Sequence, residues 1–117
     1  MTPDEFWEYE FGNAQYATDF VGLNIRRSDY RNENSQYGWD VDHIQPLAKN
    51  GKDNILNYQI THIQVNRIKG DKTTFEINKK IFQVKRLKNL YENDILAPYP
   101  YERNDKKYCI IILGEYV

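Results

Sequence analysis

Cysteine is nearly absent from this 117-residue chain: Cys109 stands alone. One thiol excludes an intrachain disulfide framework and a cysteine-rich zinc site. Histidine is almost as scarce. His43 and His62 are the only two, few for a metal enzyme, and the only side chains whose ordinary pKa lies near neutrality. Long apolar runs are missing as well. The longest, Cys109 to Leu113, is far too short for a membrane span. Residues 1–20 contain neither Lys nor Arg and no apolar core of a secretory signal. No repeat, low-complexity tract or Pro/Gly-rich linker divides the chain. These absences leave a single small domain over residues 1–117, cytoplasmic by default and with no membrane partner.

Excess charge is also lacking. The formal net charge is -1, which by itself speaks against a polyanion partner. The average conceals a division. Residues 1–20 carry the acids Asp4, Glu5, Glu8, Glu10 and Asp19 and no base. Residues 67–88 carry eight bases against Asp71 and Glu76, a local excess of +6. A segment of that sign attracts a polyanion even in a near-neutral molecule, although a solvated helix face has the same composition.

Aromatics and acids mixed from Asp4 to Tyr16 suit a short helix on the core, stopped at Gly12-Asn13. Val21 to Arg26 reads as a short strand and 31–35 as a loop. Tyr37 to Val41 is extended, with Val41 and Ile44 as apolar anchors. Pro46 bars a central strand, and 49–54 is dense turn chemistry. Ile55 to Ile60 makes a short strand at most. From Thr61, a plausible N-cap, the period becomes helical up to Gly70. Ile77, Ile81, Val84, Leu87 and Tyr91 then predict a basic amphipathic helix ending near 92–94. Tyr108 to Leu113 reads as a buried strand. The fold class is α+β.

Chemistry concentrates in the middle third. Asp42 and His43 meet at a strand–loop junction, Asn57 follows 14 residues after His43, and Asn66 lies on the next helix, followed by Arg67 and Lys69. A neutral imidazole can take a proton from water near pH 7. A carboxylate and an amide oxygen are hard ligands suited to Mg²⁺, which keeps waters and accepts a phosphate oxygen. Adjacent side chains of an ideal strand point to opposite faces. Asp42 and His43 therefore serve one phosphate only if the backbone departs from strand geometry there. Asn66 is unfavourable in a helix interior, which suggests a side chain kept for another purpose.

The run Tyr37-Gly38-Trp39-Asp40-Val41-Asp42-His43-Ile44-Gln45-Pro46, then Asn57-Tyr58-Gln59, then Asn66-Arg67-Ile68-Lys69-Gly70-Asp71, resembles the HNH endonuclease motif. The likeness covers about residues 37 to 72, and 73–117 would be a basic helical and strand extension. It implies a ββα-metal finger with flanking helices and a C-terminal strand, and metal-dependent hydrolysis of DNA phosphodiesters. It implies His43 as general base, Asp42 and Asn66 as metal ligands, and Asn57 as the catalytic-loop residue that ties the loop and holds the base. Arg67, Lys69 and Lys72 would meet phosphates. Many relatives carry paired cysteines for a structural zinc. Here His62 and Val65 occupy the region of the second pair, so no structural zinc is expected, and oxygen ligands favour one Mg²⁺, with Mn²⁺ possible.

Trp39, Tyr30 and Tyr37 could stack on bases or pack in the core. Arg26, Arg27 and Arg31 could grip backbone or be solvated. His62, four residues before Asn66, could contact phosphate or pack under the loop. The rival functions are a nucleic-acid-binding module that does not cut and a nuclease toxin held by an inhibitor protein. In the second, residues 1–20 could shield the basic stretch. Cutting both strands would call for a homodimer.

Overall fold

In the computed structural model, which describes residues 1–116, the first helix is α1, Pro3–Phe11. Thr2 and Glu5 close a capping box around its start, Pro3 occupies the first turn, and Gly12 ends it at φ 65°. Its apolar face buries Phe6 and Trp7. Strands β1 (Tyr16–Thr18) and β2 (Asn24–Arg26) follow as an antiparallel pair. Of the five acids of this segment Glu10 and Asp19 are buried, while Asp4 and Glu8 are exposed and face Arg27 rather than the 67–88 stretch. Glu10 and Lys106 form an ion pair that is wholly buried on both sides. Asp19 is buried too, and its carboxylate accepts from the backbone of Val21, Gly22, Leu23 and His62.

Strands β3 (Trp39–His43) and β4 (Tyr58–His62) form a second antiparallel pair, with Asp42 opposite Gln59 and His43 opposite Tyr58. Helix α2, Ile63–Lys69, leaves β4 directly. It is capped by His62, whose Nδ1 accepts from the Gln64 N–H at 3.1 Å, and not by Thr61. Gly70 ends it as expected. The strand–loop–strand–helix order of the central third is therefore present.

Residues 77–91 correct the sequence reading. No α-helix forms there, and the one helical piece is a single 3-10 turn at Leu87–Asn89. Strand β5, Thr74–Ile77, turns into β6, Lys80–Arg86, through Asn78 and Lys79, both at positive φ. That is the backbone of a two-residue hairpin turn whose twist matches the flanking strands. Of the apolar positions that mimic a helical period, Ile77, Ile81, Val84 and Tyr91 are residue types of high strand preference. Phe75 stacks on its cross-strand partner Phe82 at 5.8 Å. β6 also pairs with β8, Tyr108–Glu115, and β8 with β7, Ile95–Leu96, giving a four-stranded antiparallel sheet in the order β5-β6-β8-β7. The C-terminal strand stands where the sequence placed it, but α1 is the one flanking helix among the described residues. The +6 stretch is consequently broken up. Lys69 is buried, Lys85 pairs with Asp94 and lies over the Tyr91 ring, Arg67 stands on α2 with Lys72 just beyond it, and Lys79, Lys80 and Arg86 lie on the hairpin with Lys88 following it.

Cys109 lies buried in β8, and burial pushes its thiol up to about 11. No helix among the described residues is long and apolar enough to cross a membrane.

The segment between β2 and β3 is organised by one carboxylate. Asp29 accepts from Arg26 Nε at 2.8 Å, Ser35 Oγ at 2.7 Å and Asn32 Nδ2 at 3.2 Å. The Arg26 guanidinium holds Asp29 below its ordinary 3.8. A carboxyl depressed in the folded state contributes stability above the unfolded value, and that contribution fades as pH falls through the lower folded value. Asp29→Asn is expected to melt below the parent at pH 7, with the gap closing below pH 3.8. Thermal melts followed by circular dichroism from pH 2 to 8 check this, and a gap independent of pH would contradict it.

Candidate active site

The loop between β3 and β4 carries the sharpest local constraints. Asn57 is buried and acts as its staple. Its Oδ1 accepts from the Gln45 N–H at 2.8 Å, and its Nδ2 donates to the carbonyls of Gln45 and Lys52 at 2.9 and 2.8 Å. Gly51 is required by close approach, since a Cβ there would lie 1.9 Å from the Gln45 carbonyl oxygen. The loop thus folds back on the residues that directly follow His43.

β3 keeps regular pairing through His43, so Asp42 and His43 do project to opposite faces. Asp42 turns inward and is only 6% exposed. Gln59 Nε2 donates to its Oδ2 at 2.9 Å, and Lys69 Nζ lies 3.1 Å from the same oxygen. Burial pushes the Asp42 carboxyl up, and the Lys69 ammonium opposes that shift. His43 turns outward. Its Nε2 lies 2.9 Å from Asp53 Oδ1, which also accepts from the Tyr58 hydroxyl at 2.6 Å, and the Tyr58 ring meets the imidazole edge-on at 5.3 Å. The His43 contact, with help from Tyr58, holds the Asp53 carboxyl below its ordinary value.

Despite the opposed side chains, one pocket at the edge of β3 is lined by Asp42, His43, Pro46, Asn66 and Asp71. Helix α2 carries Asn66 back beside β3, as the sequence required of it. Residues 22–75 match the family model of the HNH endonucleases. The likeness read from the motif therefore holds over the segment that builds this pocket. No curated protein and no solved structure matches the chain.

Within the HNH segment the expected residues are not all brought together. Asp42, His43 and Asn66 share the pocket, while Asn57 stands behind it in the loop. Arg67 is exposed and ion-paired with Glu33, and Lys72 is exposed with its ammonium donating to the Ile68 carbonyl. Lys69 is a correction. It was expected at phosphates, but it is fully buried, pairing with Asp42 and donating to the His43 carbonyl at 2.9 Å. It draws β3 and α2 together and presents no charge to solvent. His62, with Nδ1 capping α2 and Nε2 2.8 Å from the Gln36 carbonyl, belongs to packing. Trp39 is core, its Nε1 donating to the Arg26 carbonyl at 2.7 Å. Asp53 was passed over as a turn residue. The signal was available, since it is the sole acid between His43 and Asn57.

Divalent cations serve HNH nucleases generally. The donors lining the pocket are the carboxylates of Asp42 and Asp71, one amide and one imidazole, and no group of three His, Cys, Asp or Glu placed to hold a metal ion exists among the described residues. That set fits a weakly held hard cation that keeps waters and takes substrate oxygens, with Lys69 competing for Asp42.

Asn57→Ala strips three hydrogen bonds from a buried loop and leaves the Gln45 N–H without its acceptor. A loss of about 1–3 kcal/mol is expected in denaturant unfolding. The Gln45 amide should also lose protection from hydrogen exchange, and unchanged protection would refute the staple.

Proposed function

We propose that this chain is a small HNH endonuclease, a single domain built on a ββα-metal finger, that hydrolyses DNA phosphodiester bonds with one divalent cation, Mg²⁺ ahead of Mn²⁺. The observation that supports the reading is one pocket, inside the segment that matches the family, lined by Asp42, His43 and Asn66 although β3 sends the first two side chains to opposite faces. Bound there by Asp42 and Asn66, the cation would stabilise negative charge developing on the phosphate.

The side chains supply the rest. With Nε2 donating to Asp53, His43 holds its proton on that nitrogen and leaves Nδ1 to take one from water. Asp53 and Tyr58 fix the ring and act as positioning residues. Asn57 keeps the loop beside His43 in place. Arg67 and Lys72 are the cations that remain on the surface for phosphates once Lys69 is withdrawn.

One observation favours a module that binds nucleic acid without cutting: the Asp42 carboxylate is already engaged by Lys69 and Gln59. A nicking assay separates the two. Plasmid incubated with pure protein is expected to be cut with Mg²⁺ or Mn²⁺ and left intact with EDTA. His43→Ala should slow cutting by at least about 100-fold. Equal cutting by parent and variant would overturn the endonuclease reading, and binding without any cutting would install the rival.

A further inference from the structure

A second cleft opens on the other side of His43. It has a volume of about 300 Å³ and is walled by Phe6, Tyr30, Val41, Ile55 and Tyr58, with Arg31 at its edge. That size lies at the small end of the roughly 300–1,000 Å³ range of small-molecule sites. Val41 and His43 line both this cleft and the pocket of Asp42 and Asn66. The two cavities are therefore neighbours across one strand edge. Beyond Trp39, which is bridged to Tyr30, β3 pairs only with β4 among the described residues. At its outer edge the Val41 N–H donates to Asp40 Oδ1 and the His43 carbonyl accepts from Lys69 Nζ, so a ligand lying across it would meet side chains and not free backbone groups.

The two cavities differ in chemistry as the parts of a nucleotide do. One offers the Asp42 and Asp71 carboxylates, an amide and an imidazole. The other is mainly aromatic and branched, with the Asp53 carboxylate on the side of His43, and the Arg31 guanidinium in its lining lies 5.1 Å from the centre of the Tyr30 ring. A planar heterocycle gains stacking on aromatic rings and on a guanidinium plane, whatever its base identity. Arg31 is mostly exposed although it pairs with Asp40, so its charge lies where a flanking phosphate would pass.

We propose that this cleft is a nucleobase subsite, holding the base of a nucleotide next to the phosphate attacked beside His43. A base inside a duplex is stacked on both faces and cannot enter, so the nucleic acid taken here is unpaired beside the cut. The proposal rests on the endonuclease reading for its phosphate pocket, yet its test needs no cleavage.

The test uses dAMP, dTMP and deoxyribose 5-phosphate, titrated into the full chain without metal and followed by the methyl resonances of Val41 and Ile55. Both nucleotides are expected to shift these methyls, while the sugar phosphate at equal concentration leaves them in place. Tyr30→Ala should weaken the nucleotides by about tenfold. Ile55→Trp, which fills the cleft from its wall, should abolish the Val41 shift and guards against a Tyr30 variant that fails to fold. Nucleotides that leave the methyls unmoved, or a sugar phosphate that moves them equally, would overturn the subsite. Monophosphates contain no diester to cut, so failure here leaves the nuclease reading standing, and an uncut plasmid leaves this result standing.

Discussion

A single buried ammonium joins the two halves of the site. Lys69 Nζ reaches Asp42 and the carbonyl of His43 from the last turn of α2, and nothing of it is exposed. Two charges in an apolar interior are tolerated only when each satisfies the other, and removing one partner of such a pair costs about 3–5 kcal/mol. The seven-residue helix is too short to be stable alone. Its position is set by this contact and by Val65 in the core. Asn66, three residues earlier on the same helix, inherits that position. A residue expected to touch phosphate is thus the one that sets where Asp42 and Asn66 stand relative to each other.

The central third was legible because its signals are local. Turn chemistry at 49–54, a stop at Gly70, and Asp42, His43, Asn57 and Asn66 at fixed spacings are read from the chain itself. The helix assigned to 77–91 failed because apolar residues at i, i+4 and i+7 also arise in a hairpin. The turn that separates the strands is Asn78-Lys79, lacking the glycine that usually marks one. The fate of Lys69 was illegible for a different reason. Whether a lysine faces solvent or a carboxylate depends on a partner 27 residues away. Asp53 was hidden by its own neighbourhood, where any acid reads as turn chemistry until the fold brings it beside the imidazole.

The near-zero net charge has a structural origin. Arg26 pairs with Asp29, Arg27 with Asp4, Arg31 with Asp40, and Arg67 with Glu33. These four arginines are held by carboxylates of the same chain and not by mobile counterions, while Lys72 has only a backbone carbonyl. A phosphate arriving at Arg31 or Arg67 exchanges with an internal acid, so fewer ions are released to solvent than the count of basic residues suggests. The acids also hold the guanidiniums in place before any ligand arrives, which lowers the ordering cost of binding.

Gly38 lets two elements meet that a side chain would hold apart. A Cβ at this position would fall 2.3 Å from the Asn32 carbonyl oxygen and 2.7 Å from Ile63 Cδ1. The loop that follows Arg31 and the first turn of the helix that carries Asn66 therefore bear on the same bare backbone atom from two sides. Any residue larger than glycine there would wedge the two apart, so the spacing of the loop and the helix is written into a missing methyl group.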